Sequence, residues 1–265
     1  MALVLAVTLA GCSGGEEPAA PAQEYTPAQY GAAINDIARP QADRDRDALR
    51  KPGELLAFAQ IDQGDRVGDY IMGGGYLTRL LAVAVGREGR VYAFQPDEFI
   101  TFRPEYATEQ DAAVAPFADD NGNPVNVFAL RGPIAAPPFP EPLDTIITVM
   151  NFHDLFIGPM PQGTDETAVK ALFDALKPGG TLIVVDHLAM DGAGAAAADS
   201  LHRMDADLAR NMLTAAGFVV EQESDLYSRP EDPRTTNVFD DAIRGRTDQF
   251  VWRLRKPGGS GEDER

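Results

Sequence analysis

Basic residues are scarce in this sequence: 23 Lys and Arg stand against 41 Asp and Glu over 265 residues, a net charge of −18. That excess repels phosphate backbones and anionic lipid surfaces, so nucleic acid is not an expected partner. The local clusters of positive charge, Arg44 to Lys51 and Arg244 to Lys256, are interrupted by acids and read as solvated surface. Cysteine occurs once, which excludes an internal disulfide framework. Long hydrophobic runs are lacking too. The one at the start, Ala2 to Ala10, is nine residues, whereas a membrane-crossing helix needs about 20. What remains is 44% hydrophobic, ample for a full core in one large domain.

The lone cysteine is Cys12, preceded by Leu9-Ala10-Gly11. This tetrapeptide resembles the lipobox of bacterial lipoproteins, which implies lipidation of Cys12 and a protein of the cell envelope facing the periplasm. No Lys or Arg precedes the apolar run, which a secretory signal ordinarily carries. The expected organisation is a signal segment over 1–11 and a Gly/Pro/Ala-rich tether over 12–25. A helical extension over 26–49, a main domain over 50–257 and a disordered tail over 258–265 complete it. A lipid anchor on Cys12 is then the only membrane contact expected.

Between these ends strand and helix signals alternate, which predicts an α/β fold: a doubly wound, mostly parallel sheet of seven strands with helices on both faces. Strands are expected at Arg66–Ile71, Arg90–Gln95, Val125–Leu130, Thr145–Met150 and Thr181–Asp186. Phe218–Glu223 and Gln249–Leu254 pair antiparallel at the sheet edge. Helices are expected at Thr26–Ala38, Tyr76–Val85, within Phe99–Ala118, at Thr164–Leu176 and at Ser200–Ala216, the last closed by Gly217. The long polar segment Tyr227–Thr247 reads as a loop of functional length.

The first strand runs through Asp69-Tyr70-Ile71-Met72 into Gly73-Gly74-Gly75-Tyr76, a turn whose glycines tolerate positive φ and leave the backbone open to a ligand. Lys177-Pro178-Gly179-Gly180 precedes the fifth strand and Leu143-Asp144 leads the fourth. With these three segments in this order, the sequence resembles the class I S-adenosylmethionine-dependent methyltransferases. More narrowly, Arg50-Lys51-Pro52, Asn151-Phe152-His153-Asp154, His202-Arg203-Met204-Asp205 and Arg255-Lys256-Pro257 are similar to a group of bacterial predicted methyltransferases with export signals. The resemblance covers roughly 200 residues and implies a Rossmann-like fold, S-adenosyl-L-methionine as cofactor and methyl transfer to a small molecule.

It also implies a cofactor site at Asp69, Gly73, Gly74, Gly75, Tyr76 and Asn151. The acid that accepts from the ribose hydroxyls, about 20 residues past the glycines, is Gln95 here, and a glycine position of the turn is Ile71. An amide can accept one such bond but lacks the charge, and Asp97 stands nearby.

All three histidines follow strands four and five, where open α/β sheets bind ligands. His153 is the expected general base, with a reference pKa near ~6.5, and Asp154 its orienting partner. His187, His202 and Arg203 are expected on the substrate side, Arg203 either binding an acidic group or pairing with Asp199 or Asp207. Asp186 and His187 with His153 and Asp154 have donors of the right kind for a metal, but no spacing is diagnostic and none is expected. Asp119 to Asn123 reads as a turn. Thr78 stands where the nicotinamide fingerprint wants Gly or Ala, which disfavours an oxidoreductase. A ligand-binding envelope lipoprotein that keeps the fold without the chemistry is the alternative, and Ile71 and Gln95 are what it would show.

Overall fold

The computed structural model describes residues 23–258. The lipobox with Cys12, the signal segment, most of the tether and nearly all of the tail lie outside them.

Seven strands form one sheet in the order β3-β2-β1-β4-β5-β7-β6. They are β1 (Arg66–Tyr70), β2 (Arg90–Pro96), β3 (Val127–Gly132), β4 (Leu143–Val149), β5 (Leu176–His187), β6 (Val219–Ser224) and β7 (Gln249–Arg255). The first five pair in parallel, and β7 runs antiparallel between β5 and the edge strand β6. Six match their expected positions to within two residues; β5 begins at Leu176, five residues before the expected Thr181. The signal was strongest for β4, whose Ile146 and Ile147 are fully buried, as in a strand covered on both faces.

The helices are α1 (Gly31–Ile34), α2 (Gln41–Arg44), α3 (Asp47–Arg50), α4 (Pro52–Ala59), α5 (Tyr76–Ala84), α6 (Asp97–Phe102), α7 (Glu105–Val114), α8 (Thr164–Ala175), α9 (Ala196–Leu201) and α10 (Ala206–Ala215). Two hydrophobic clusters lie on opposite faces of the sheet. One packs α4 and α5 against Val67, Val91 and Val185; the other packs α8 and α10 against Ile146, Leu182 and Trp252. The chain winds outward from β1 to β3 and returns to lay β4 beside β1, so the strand order reverses between β1 and β4. Such a reversal opens a crevice at the carboxyl ends of the strands.

Two expected helices are interrupted, and the span expected to contain a helix holds α7 and the end of α6. Thr26–Ala38 is a 3-10 turn (Pro27–Tyr30) followed by the single turn α1, and Ile37 beyond it is 96% exposed. Phe99–Ala118 is divided between α6 and α7 at Arg103-Pro104, because proline has no amide to continue the ladder. Ser200–Ala216 is broken at His202–Asp205: His202 takes a left-handed φ of 53°, Met204 bridges to Leu188, and Asp205 caps α10 through the amides of Asp207 and Leu208.

Candidate active site

The crevice opens into a cavity of about 1280 Å³ at the carboxyl ends of β1, β2, β4 and β5. The expected loop Tyr227–Thr247 forms part of its wall through Tyr227, Val238, Phe239, Arg244 and Gly245. Ahead of the sheet, α3 and its N-cap residue bring Arg46, Leu49 and Arg50 to the same cavity.

Its floor is the β1–α5 turn. Asp69 is buried at the end of β1 and accepts a hydrogen bond from the Thr78 hydroxyl at 2.5 Å. Burial pushes the Asp69 carboxyl up to about 6, although hydrogen bonds from the Thr78 hydroxyl and amide pull the other way. Thr78, read only as a missing glycine, is thus the partner of this carboxylate. Ile71, where a glycine is usual, adopts a left-handed φ of 64°, so the turn keeps the glycine's backbone shape with a β-branched residue and the strain that carries. Gly73 and Gly74 face open space: a side-chain carbon added at either would meet nothing within 4 Å. Gly75 differs. Its φ is 78°, and an added carbon would lie 2.4 Å from Ala113 Cβ, so it serves helix packing rather than a ligand.

Gln95 is a correction to the expected ribose contact. It is fully buried, its Oε1 accepts from the Gly73 amide at 3.1 Å, and its buried Nε2 has no partner. It braces the glycine turn from behind, while Asp97, two residues on, lines the cavity. Asn151 is also committed to the frame: its Nδ2 donates to the carbonyls of Ile71 at 3.0 Å and Val149 at 2.9 Å, tying the end of β4 to the turn after β1. Tyr76 lines the cavity. Its hydroxyl donates to Asp47 Oδ1 at 2.6 Å, and the guanidinium of Arg50 lies 4.7 Å from its ring centroid. Arg50 makes no ion pair among the described residues, and burial, with Arg46 nearby, holds its guanidinium below its ordinary value. This arginine at the cavity was not separable in the sequence from the other charges of its segment.

The three histidines do converge. His153 and His202 meet edge to face with ring centroids 5.4 Å apart, and His187 lies 6.1 Å from His153. All three line the cavity with Asp154. The residue that orients His153 is Asp186 rather than Asp154. His153 Nδ1 donates to Asp186 Oδ1 at 2.8 Å and its amide to Oδ2 at 2.6 Å, which leaves Nε2 toward Asp154 Oδ1 at 3.5 Å. Asp186 also accepts from the His187 amide at 2.7 Å. Burial disfavours the imidazolium of His153, but the Asp186 carboxylate outweighs it and holds the ring up at about 9. The direction of that shift favours the charged ring, the opposite of what a general base needs. His187, bonded through Nδ1 to the Thr247 hydroxyl at 2.6 Å, is pushed by burial down to about 4.

Arg203 is a second correction. It is fully buried and does not line the cavity; its guanidinium forks onto Asp232 at 2.8 and 3.0 Å and also donates to the carbonyls of Thr236 and Leu188. Its partner is neither Asp199 nor Asp207, and its work is to hold the 227–247 loop to the break between α9 and α10.

No family model matches the sequence. No curated protein matches it either. Solved structures do resemble the fold. A SAM-dependent methyltransferase from Aquifex aeolicus is 18% identical, with 87% of this chain and 98% of that one covered at a TM-score of 0.52. The arsenic(III) S-adenosylmethionine methyltransferase of Chlamydomonas reinhardtii is 13% identical, covering 81% and 74% at 0.52. The [4+2]-cyclase SpnF is 19% identical, covering 85% and 86% at 0.54. A cyclase among them shows that the architecture does not fix the reaction. The chain has the class I methyltransferase fold.

Proposed function

We propose that the chain is an S-adenosylmethionine-dependent methyltransferase acting on a small molecule, exported and anchored through Cys12. The observation that carries this reading is the open cradle: Gly73 and Gly74 present bare backbone to the cavity beside the buried carboxylate of Asp69. These residues fit the cofactor, with Asp69 for a cationic amino group, Gly73 and Gly74 for close backbone approach, and Asp97 on the wall beyond β2. When bound, the cofactor supplies a methyl group on a sulfonium that is already a good leaving group. The chain's own residues then mainly align the acceptor and exclude water. Tyr227 and Phe239 line the cavity from the loop side, and His153, Asp154 and His202 form the polar cluster that an acceptor in the cavity would meet.

Gln95 favours a second reading. With its amide turned to Gly73, no acid occupies the end of β2, as suits a binding protein that has kept the fold and given up the chemistry.

Calorimetric titration of the purified chain with S-adenosylmethionine and S-adenosylhomocysteine separates the two. The informative variant is Gly74→Leu, because position 74 has room for a side chain and no left-handed φ. The variant should fold as the parent does and bind neither ligand. Saturable binding by the parent, lost in the variant, supports the methyltransferase reading; absence of heat from the folded parent supports the binding protein. Incorporation of labelled fatty acid, abolished by Cys12→Ser, tests the anchor.

A further inference from the structure

Beyond the cradle, His153, Asp154 and His202 each offer one ligand atom, and these atoms lie within 4.8 Å of one another. The His153 Nε2 to Asp154 Oδ1 distance of 3.5 Å is close to the edge, roughly 3.3 Å, of a tetrahedron built on metal–ligand bonds of about 2.0–2.1 Å. Three further features point the same way. Asp186 accepts from Nδ1 of His153 and so leaves Nε2 as the ring atom that a metal would take in place of a proton, the carboxylate–histidine arrangement that orients a metal-binding imidazole. The Asp154 carboxylate is largely buried and accepts no hydrogen bond among the described residues; the His153 ring, 3.5 Å away, is its charged neighbour there, through the same Nε2 that a metal would share with it. His202 is held at a left-handed φ of 53°, an uncommon conformation for a residue with a side chain and one that concentrates at functional sites.

We propose that His153 Nε2, the Asp154 carboxylate and His202 together bind one divalent first-row transition metal, with an open coordination position facing the cavity. Two imidazoles and one carboxylate select zinc, cobalt, nickel or iron over magnesium and calcium, which prefer all-oxygen shells. Asp186 and His187 stand outside the ligand set, Asp186 as the outer partner of His153 and His187 bonded to Thr247. The open position would hold water or an oxygen donor of a ligand in the cavity. The site stands whether or not the chain transfers methyl groups.

Chelator-stripped full-length protein is titrated with zinc against a chromophoric chelator, and with cobalt(II) while visible d–d bands are recorded. No S-adenosylmethionine is present, so the result is independent of the methyl-transfer reading. One equivalent of zinc is expected to bind and to displace cobalt. His202→Asn, which tolerates the left-handed backbone, and Asp154→Asn should each weaken binding by more than the roughly 10–100-fold typical of losing an outer partner. Each should also abolish the rise in thermal midpoint that zinc gives the parent. His187→Gln should bind as the parent does. Folding of each variant is checked by circular dichroism, and two ligand variants keep the test decisive if one fails to fold. Absence of saturable uptake by the folded parent, equal affinity in either folded ligand variant, or loss of uptake in His187→Gln would each overturn the assignment.

Discussion

Replacing Arg203 by methionine distinguishes a buried brace from a substrate-binding arginine. In the parent, Arg203 and Asp232 have fully buried side chains paired through two N–H···O bonds of 2.8 and 3.0 Å. Asp232 keeps two backbone donors, the amides of Asp248 at 2.7 Å and Arg234 at 3.2 Å, so the variant leaves a buried carboxylate with two bonds and no cation. Breaking such a pair from one side costs about 3–5 kcal/mol. With an urea m-value of about 3 kcal/mol/M, the midpoint of unfolding should fall by roughly 1–1.7 M if the transition is two-state. Adding Asp232→Asn to Arg203→Met removes the stranded charge while the amide oxygen still accepts from Asp248, and should restore more than half of the loss. The pH dependence has a definite sign. Burial alone would push the Asp232 carboxyl up, but its bonds from Arg203 and the two amides hold it below the usual carboxylate range. Its contribution is therefore fully present above the unfolded value of about 3.9 and is lost only as pH falls through the lower folded value. The difference between parent and variant should thus persist at neutral pH and shrink in strong acid. A loss below about 1 kcal/mol, together with weakened ligand binding, would refute the brace and return Arg203 to the cavity.

Other outcomes follow from the cradle and its supports. Burial pushes the Asp69 carboxyl up to about 6, so if its charged form receives a cationic amino group, cofactor affinity is expected to be flat above that pH and to fall about tenfold per unit below it. Thr78→Val should move the break to higher pH, and Asp69→Asn should erase it; calorimetry across pH reads all three. Gly75→Ala forces a carbon against Ala113 at a left-handed φ, and should cost about 1–3 kcal/mol of stability in a denaturant titration. Tyr76→Phe removes the bond to Asp47, which keeps its forked pair with Arg39, so the thermal midpoint should register only about 1 kcal/mol.

The strands were legible because each combines β-branched or aromatic residues with turn residues at both ends, and the order of motifs placed the cavity beside β1 and β4. The clustering of His153, His187 and His202 followed from the same rule about strand ends. The frame around them was not legible, since it rests on contacts distant in sequence. Asp186 reaches His153 across 33 residues, and Arg203 reaches Asp232 across 29. The break at His202 did leave a local sign, Asp205 ahead of Asp207 and Leu208, an N-cap pattern hidden by apolar spacing that continues through it. Gln95 looked like a weakened ribose ligand because its position matched; only the fold shows its amide facing inward.

The Arg203–Asp232 fork also joins two parts of the cavity that the chain makes separately. His202 sits one residue before the arginine, and Phe239, seven residues past the aspartate, packs on His202 at a tilt of 59° with ring centroids 4.8 Å apart. The loop side of the chamber and one of its histidines are thereby tied together through a buried ion pair, with Val238 and Asn237 bonded to the carbonyls of Leu201 and Ser200 beside it. A ligand that displaces His202 would press on Phe239, so filling the cavity is expected to change how fast a protease cuts the 227–247 loop.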